Sequence, residues 1–273
     1  MKKYLALCLT ALALSACSKE SASNDVEEAS TAAPQAVVYR VGSQLSYPPF
    51  HFIDEKGEPT GFEVEVLRAT AKAGGFDVEI INSPRSSLER TLNDGTLDIW
   101  SSTISVKPER AEKMDFSQPF LQHDSQVIYL LDNDGNKSIQ TLQDLHGKKL
   151  AVSKFSKSSA ELAAKITGSR GNVLVTDSYY ASMKEVYGGR AEGALNNGYV
   201  LAYAAKQQPG FKMRSIVAEN EKKDFAFAVK KGNTELLEKL NKGLQIVKSD
   251  GTYDKLFDKW FGSAMASPQS SAK

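Results

Sequence analysis

The chain of 273 residues is long enough for one large or two ordinary domains with a proper core. Hydrophobic residues make up 41% and charged residues 25% of it, near the globular average, which excludes wholesale disorder and a polytopic membrane protein. Lys and Arg number 34 against 33 Asp and Glu, a net charge of +1, so no global field exists to draw nucleic acid or an anionic membrane.

Both cysteines, Cys8 and Cys17, fall at the N-terminus, which excludes a disulfide scaffold or a cysteine-based zinc site in the folded body. Lys2 and Lys3, an apolar run from Tyr4 to Leu14 and the small residues after it read as a secretory signal over 1–16. The run is too short to span a bilayer as a lasting helix. Leu14-Ser15-Ala16-Cys17 resembles a bacterial lipoprotein box, and the resemblance implies cleavage before Cys17 and acylation of that residue. Two or three acyl chains anchor stably where one is marginal. Residues 17–36 then read as lipidated cysteine and flexible tether, since they hold almost no branched aliphatic side chains to bury. Residues 263–273 read as a flexible tail.

Between these ends, short apolar strands alternate with amphipathic helices. Val37 to Val41, Val78 to Ile81, Leu97 to Ser101, Lys149 to Ser153 and Val173 to Val175 read as strands. Phe62, Val66, Leu67 and Ala73 form a helical stripe stopped by Gly74-Gly75. Ser86-x-x-Glu89 and Ser158-x-x-Glu161 have the spacing of capping boxes ahead of Leu88 and Leu92, and of Leu162 and Ile166. Leu237, Leu240, Leu244 and Val247 mark a further helix, and Tyr253, Leu256, Phe257 and Trp260 another. The alternation predicts an α/β fold of parallel-type sheets covered by helices. Ligands in such folds sit beyond the carboxyl ends of strands.

Catalytic signatures are scarce: no phosphate loop, no H-E-x-x-H and no G-x-S-x-G. His51, His123 and His146 are far apart in sequence and read as structural or surface residues, not as a metal site or triad. Glu63 and Glu65 do not share a helix face and read as solvated charges. The informative segment is Asp98 to Arg110, where a strand delivers hydroxyls at Ser102, Thr103 and Ser105 and an arginine follows at a helix start. Arg110 reads either as a surface ion-pair partner of Glu109 or Glu112, or as a planar fork for a carboxylate.

The sequence resembles the bacterial solute-binding proteins of family 3, amino-acid receptors of ABC importers. The resemblance runs through Tyr47-Pro48-Pro49-Phe50, Gly61-Phe62-Glu63-Val64, Pro108-Glu109-Arg110, Asp115-Phe116-Ser117-Gln118-Pro119-Phe120, Gly189-Arg190 and Lys259-Trp260-Phe261-Gly262. It implies a two-lobed type II binding-protein fold, with lobe 1 at 37–122 and 225–262, lobe 2 at 123–224, and a ligand cleft between lobes joined by two crossover strands. Residue by residue it implies Arg110 as the carboxylate-binding arginine, with Ser105, Thr103 and Ser102 beside it, Tyr47 stacking on the ligand and Ser156 as the lobe 2 hydroxyl.

Three departures stand out. Asn197 occupies the place of the family's aspartate for the α-ammonium, Phe155 that of a glycine, and Gln44 that of a frequent aspartate. Arg85 adds a cation where an apolar cap is usual. Together they shift the expected ligand toward an anionic amino-acid derivative held by Arg110 and Arg85. The resemblance further implies a non-catalytic, monomeric receptor in the periplasm, lipid-anchored through Cys17 and leaning to the outer membrane. Its expected partners are a small-molecule ligand and an ABC permease, with no cofactor, metal or nucleic acid. The alternatives are a surface lipoprotein with a vestigial cleft acting as adhesin or signalling protein, and a cyclohexadienyl-dehydratase-like enzyme. The latter would need an ionisable group near Asn197 or Val200.

Overall fold

The computed structural model describes residues 37–154 and 156–262, without the side chains of residues 123–125 and 220. The expected signal, Cys17, the tether, Phe155 and the tail lie outside the described residues. The chain opens with β1 (Val38–Ser43), the short β2 (Ser46–Tyr47), β3 (His51–Ile53) and β4 (Pro59–Thr60), then α1 (Phe62–Gly74) and β5 (Asp77–Asn82). Next come α2 (Leu88–Asn93), β6 (Ile99–Ser105), α3 (Pro108–Ala111), β7 (Met114–Phe116) and the long β8 (Leu121–Leu131). The central stretch runs β9 (Leu150–Ser153), α4 (Lys157–Thr167), β10 (Val173–Thr176), α5 (Tyr179–Tyr187), β11 (Gly193–Asn196) and α6 (Gly198–Lys206). β12 (Met213–Lys230), α7 (Thr234–Ser249) and α8 (Thr252–Phe261) follow.

Local chemistry explains most of these boundaries. α1 buries Phe62, Val66 and Leu67 and stops at Gly75, whose left-handed φ of 79° turns its N–H back to the Ala71 and Lys72 carbonyls. Both expected capping boxes shift. Ser86 lies within a 3-10 turn at Arg85–Ser87 that leads into α2 without a side-chain cap. The cap of α4 is Ser156, two residues earlier than expected, whose hydroxyl accepts from the Ser159 N–H.

The large sheet runs in the order β10-β9-β11-β8-β12-β6-β1-β5, with β7 also paired to β12. Its flanks are parallel, β5-β1-β6 at one end and β10-β9-β11 at the other. The middle is antiparallel, because β8 and β12 cross between the halves as a pair. β12 runs beside β8 from Met213 opposite Leu131 to Phe225 opposite Leu121, then continues beside β6 and β7. Two irregularities interrupt its pairing with β8, between Val217 and Glu219 and between Glu219 and Lys222, and a third its pairing with β6, between Ala226 and Ala228.

Each half has its own core. One gathers Phe62, Leu67, Phe120, Phe227, Leu240 and Phe257 between the sheet and α1, α7 and α8. α7 approaches α1 so closely that a Cβ on Gly243 would collide with the Thr70 carbonyl oxygen. The other half packs Leu130, Leu150, Val152 and Leu195, with Met183 and Leu201 in an adjoining cluster. Tyr199 and Val200 of α6 belong to the first core, where the Tyr199 ring lies 4.8 Å from that of Phe261.

Candidate functional site

A cavity of about 680 Å³ opens where the carboxyl end of β6 faces the N-termini of α4, α5 and α6. One wall is built from β6 and the β2–β3 turn. Strand sterics would carry Thr103 outward as extended backbone, yet its φ is +47°, a conformation uncommon for a β-branched residue. Glu63 over-determines it from behind. Its Oε2 accepts from the Thr103 N–H at 2.7 Å and its Oε1 from the Ser101 hydroxyl at 2.9 Å. Glu63 is fully buried, which corrects the reading of it as a solvated charge. Glu65 instead pairs with Lys259 Nζ at 2.6 Å at the surface.

His51 completes this support. A carbonyl can only accept, so His51 Nδ1 carries the ring proton and donates it to Gln44 O at 2.6 Å. Nε2 then lies 3.3 Å from Thr103 Oγ1 and 3.9 Å from Glu63 Oε2. Burial pushes the His51 pKa down to about 4. It pushes the Glu63 carboxyl up to about 7, against the lowering effect of the Thr103 and Ser101 hydrogen bonds. The two groups therefore do not form an ion pair: His51 stays uncharged near neutral pH, and Glu63 is held by its bonds to Ser101 and Thr103.

Arg85, in the turn before α2, sends Nη1 to the Ser102 carbonyl and Nη2 to the Thr103 carbonyl. Burial and then the neighbouring charge of Arg110 lower its pKa from the ordinary arginine value. Tyr47 stacks on Phe50, with ring centroids 5.6 Å apart, and reaches across the cavity to Tyr179 at 5.4 Å. Burial, followed by the proximity of Tyr179, raises the Tyr47 pKa far above its usual value.

The opposite wall is made of helix caps. Ser156 Oγ lies 2.6 Å from Ser159 Oγ, which donates to Gln126 Oε1 at 2.6 Å. Asn197 caps α6 by accepting from the Tyr199 N–H at 3.0 Å. Beside it Asn196, 4% exposed, accepts from the Asn197 N–H through Oδ1 at 2.7 Å and has no hydrogen-bond partner at Nδ2. Lys223 joins from the crossover strand β12.

Of the expected ligand residues, Tyr47, Arg85, Ser102, Thr103, Ser105, Ser156 and Asn197 line the cavity. Arg110 is outside the lining set: it sits half-buried on α3 and donates from Nη1 to the Ser105 carbonyl at 2.9 Å. Glu109 pairs with Lys107 at 3.8 Å. Val200 is buried in the core. Sequence reasoning missed His51, Gln126, Ser158, Ser159, Tyr179, Asn196 and Lys223 as lining residues. Asn196 carried a readable signal, as a polar residue closing a strand beside Asn197. Among the described residues, no group of three or more His, Cys, Asp and Glu could hold a metal ion.

The description of the bacterial extracellular solute-binding proteins, family 3, matches residues 39–263. A probable histidine-binding protein of Neisseria gonorrhoeae is 30% identical over 264 residues, covering 96% of each chain. Among solved structures, an ancestral arginine-binding protein bound to arginine is 34% identical with a TM-score of 0.60, covering 82% of this chain and 98% of that one. The L-cystine solute receptor of Neisseria gonorrhoeae, in its unliganded open conformation, is 28% identical with a TM-score of 0.69, covering 82% and 92%.

Proposed function

Because the chain belongs to the bacterial extracellular solute-binding proteins of family 3, we propose that it is a non-catalytic receptor outside the cytoplasm, which binds an amino acid or amino-acid-like carboxylate between its lobes and delivers it to an ABC importer. The observation that carries this reading is the cavity itself: its hydroxyls, amides and cations come from both halves of the chain, so one small molecule can hold the halves together. The proposed lobes are 37–122 with 225–262, and 123–224, pivoting on β8 and β12. The conformation aligns better with the unliganded open L-cystine receptor than with the arginine-bound protein, despite lower identity. That supports reading it as a state from which closure proceeds.

The non-catalytic reading is supported by the wall chemistry. No described lining residue is a carboxylic acid, and His51 is buried with its ring proton held by the Gln44 carbonyl. Lipid attachment through Cys17 belongs to the same proposal and follows from the sequence alone. Replacing Cys17 with Ala would then move the protein from the membrane to the soluble fraction.

A thermal-shift panel of amino acids, small peptides and dicarboxylates on refolded protein tests the receptor reading. A ligand at 100 times its Kd stabilises by about 2.7 kcal/mol, on the order of 5–10 °C for a chain of this size. The expected result is such a shift for one chemical class. No shift from any compound would defeat the proposal.

A further inference from the structure

The cavity wall is unbalanced in charge. Among the described residues that line it, Arg85 and Lys223 are cations, and none is an aspartate or glutamate. Glu63 lies within the protein with both carboxylate oxygens accepting from Ser101 and Thr103. Lys223 meets Glu221 at 3.1 Å, and Glu221 is outside the lining set. An α-ammonium group entering here meets cations and no described carboxylate.

Hydrogen-bonding capacity is unbalanced in the same direction. Each lining amide oxygen opposite Arg85 already accepts a bond: Gln126 from Ser159 Oγ, Asn196 from the Asn197 N–H and Asn197 from the Tyr199 N–H. Donor capacity on the walls is left unused. Asn196 Nδ2 is buried on the wall with no partner, and a buried donor left unmade is costly. A guanidinium has five N–H groups, and the Arg85 contacts to the Ser102 and Thr103 carbonyls use only part of that set.

The backbone adds to the imbalance. α4, α5 and α6, of eleven, nine and nine residues, begin after Ser156, Ser178 and Asn197. Ser156, Ser159, Tyr179 and Asn197, from their caps and first turns, line the cavity. The positive ends of three helix dipoles, with their leading N–H groups, therefore lie at one wall.

We propose that the ligand is a net anion bearing two carboxylates, an acidic or N-blocked amino acid or a plain dicarboxylate, with Arg85 taking one carboxylate and Asn196 Nδ2 donating to the other at the α4–α6 wall. The proposal rests on the receptor reading and names its ligand class. It makes Arg85 and Asn196 the residues that set specificity.

Calorimetric titration of the full chain tests it, after unfolding and refolding to strip carried-over ligand, near neutral pH. One set holds L-glutamate, N-acetyl-L-glutamate and glutarate; the other holds L-glutamine, L-histidine, L-arginine and L-cystine. The expected result is a best ligand from the first set, tighter than any of the second by about tenfold or more. Arg85→Gln should weaken that ligand at least about tenfold and Arg85→Lys by less, because the charge stays and only the fork is lost. Asn196→Asp should weaken it while improving glutamine or arginine, and Asn196→Ala should weaken it without that gain. Melting curves of each variant separate lost binding from lost folding. A tightest ligand from the second set, or Arg85→Gln and Asn196→Ala that fold and bind unchanged, overturns this inference and leaves the receptor standing. Binding by none of the seven compounds counts against both.

Discussion

On one wall of the cavity a strand end is fixed from behind by buried polar groups, while on the other three helices present their caps. The β6 wall depends on Glu63 and His51, both buried and neither facing bulk water, and it holds a threonine in a backbone region that would otherwise relax. The α4–α6 wall is made of short side chains bonding their own helix starts, such as Ser156 to Ser159 and Asn197 to Tyr199. Damage to the first wall therefore unseats the scaffold, whereas damage to the second removes one local cap. The preformed wall can meet the ligand first, and the capped wall can then close on it.

The largest expected effect tests the scaffold. Glu63→Ala leaves the Thr103 N–H and the Ser101 hydroxyl without their acceptor in a dry site, at roughly 1–3 kcal/mol each. A combined loss of about 3 kcal/mol should lower Tm by roughly 6–12 °C. A melting curve within about 2 °C of the parent would break the contrast between the walls.

Acidity offers a sharper test of the same wall. Glu63, with its pKa raised from 4.5 to about 7, favours the fold while protonated. That contribution is whole below about 4.5 and lost as pH rises through about 7. His51, lowered from 6.5 to about 4, favours the fold while neutral. Its contribution is whole above about 6.5 and lost as pH falls through about 4. The two slopes oppose one another in the parent protein. Relative to it, Glu63→Gln should lose stability on acidification and His51→Gln on alkalinisation, each by up to about 3 kcal/mol across its window. Urea midpoints measured from pH 4 to 7 check this, and slopes of the same sign in both variants would defeat it.

The capped wall should respond less. Ser156→Ala removes the cap of α4 and should cost about 1 kcal/mol, or roughly 2–4 °C in Tm. A loss as large as that of Glu63→Ala would erase the distinction. Smallest of all is Tyr47→Phe, which keeps the ring beside Tyr179 across the cavity at 5.4 Å and removes only the hydroxyl. It should leave Tm nearly unchanged and shift the balance between apposed and separated walls by about 0.5–1.5 kcal/mol. Small-angle scattering of the unliganded protein would show this as a larger radius of gyration, and an identical profile would show that the two tyrosines merely adjoin.

Much of the fold was readable where strands carry short apolar runs, whether buried on both faces as in β6 and β9 or only partly buried as in β5 and β10. β1, β5, β6, β9 and β10 follow compact apolar runs, and α1, α7 and α8 carry plain stripes. β12 escaped notice because Glu219, Glu221, Lys222, Lys223 and Asp224 interrupt any apolar rhythm where it crosses between the halves. Its strand character comes from pairing with β8, a partner far away in sequence. In the site, hydroxyls after β6 were legible because they leave a strand end together. Glu63 was misread because helical spacing tells which residues share a face, not what that face meets. Only the packing of α1 against β6 shows that it meets the Thr103 backbone. Arg110 stands just behind the β6 wall: one of its N–H groups donates to the Ser105 carbonyl at 2.9 Å, and its charge reaches Arg85, a placement that motif spacing alone does not give.

The pairing of β6 with β12 has a consequence for how the chain is made. Phe225 lies opposite Ser105 and Val229 opposite Ile99, so the strand that carries the hydroxyl loop waits for a neighbour near the far end of the polypeptide. Meanwhile β8, β9, β10 and β11 pair among themselves, from a single uninterrupted stretch. Both β6 and β8 thus keep an open sheet edge until β12 has emerged, and β6 waits for it across more of the chain than β8 does. An edge of that kind, exposed for so long, is what a holding chaperone has to cover.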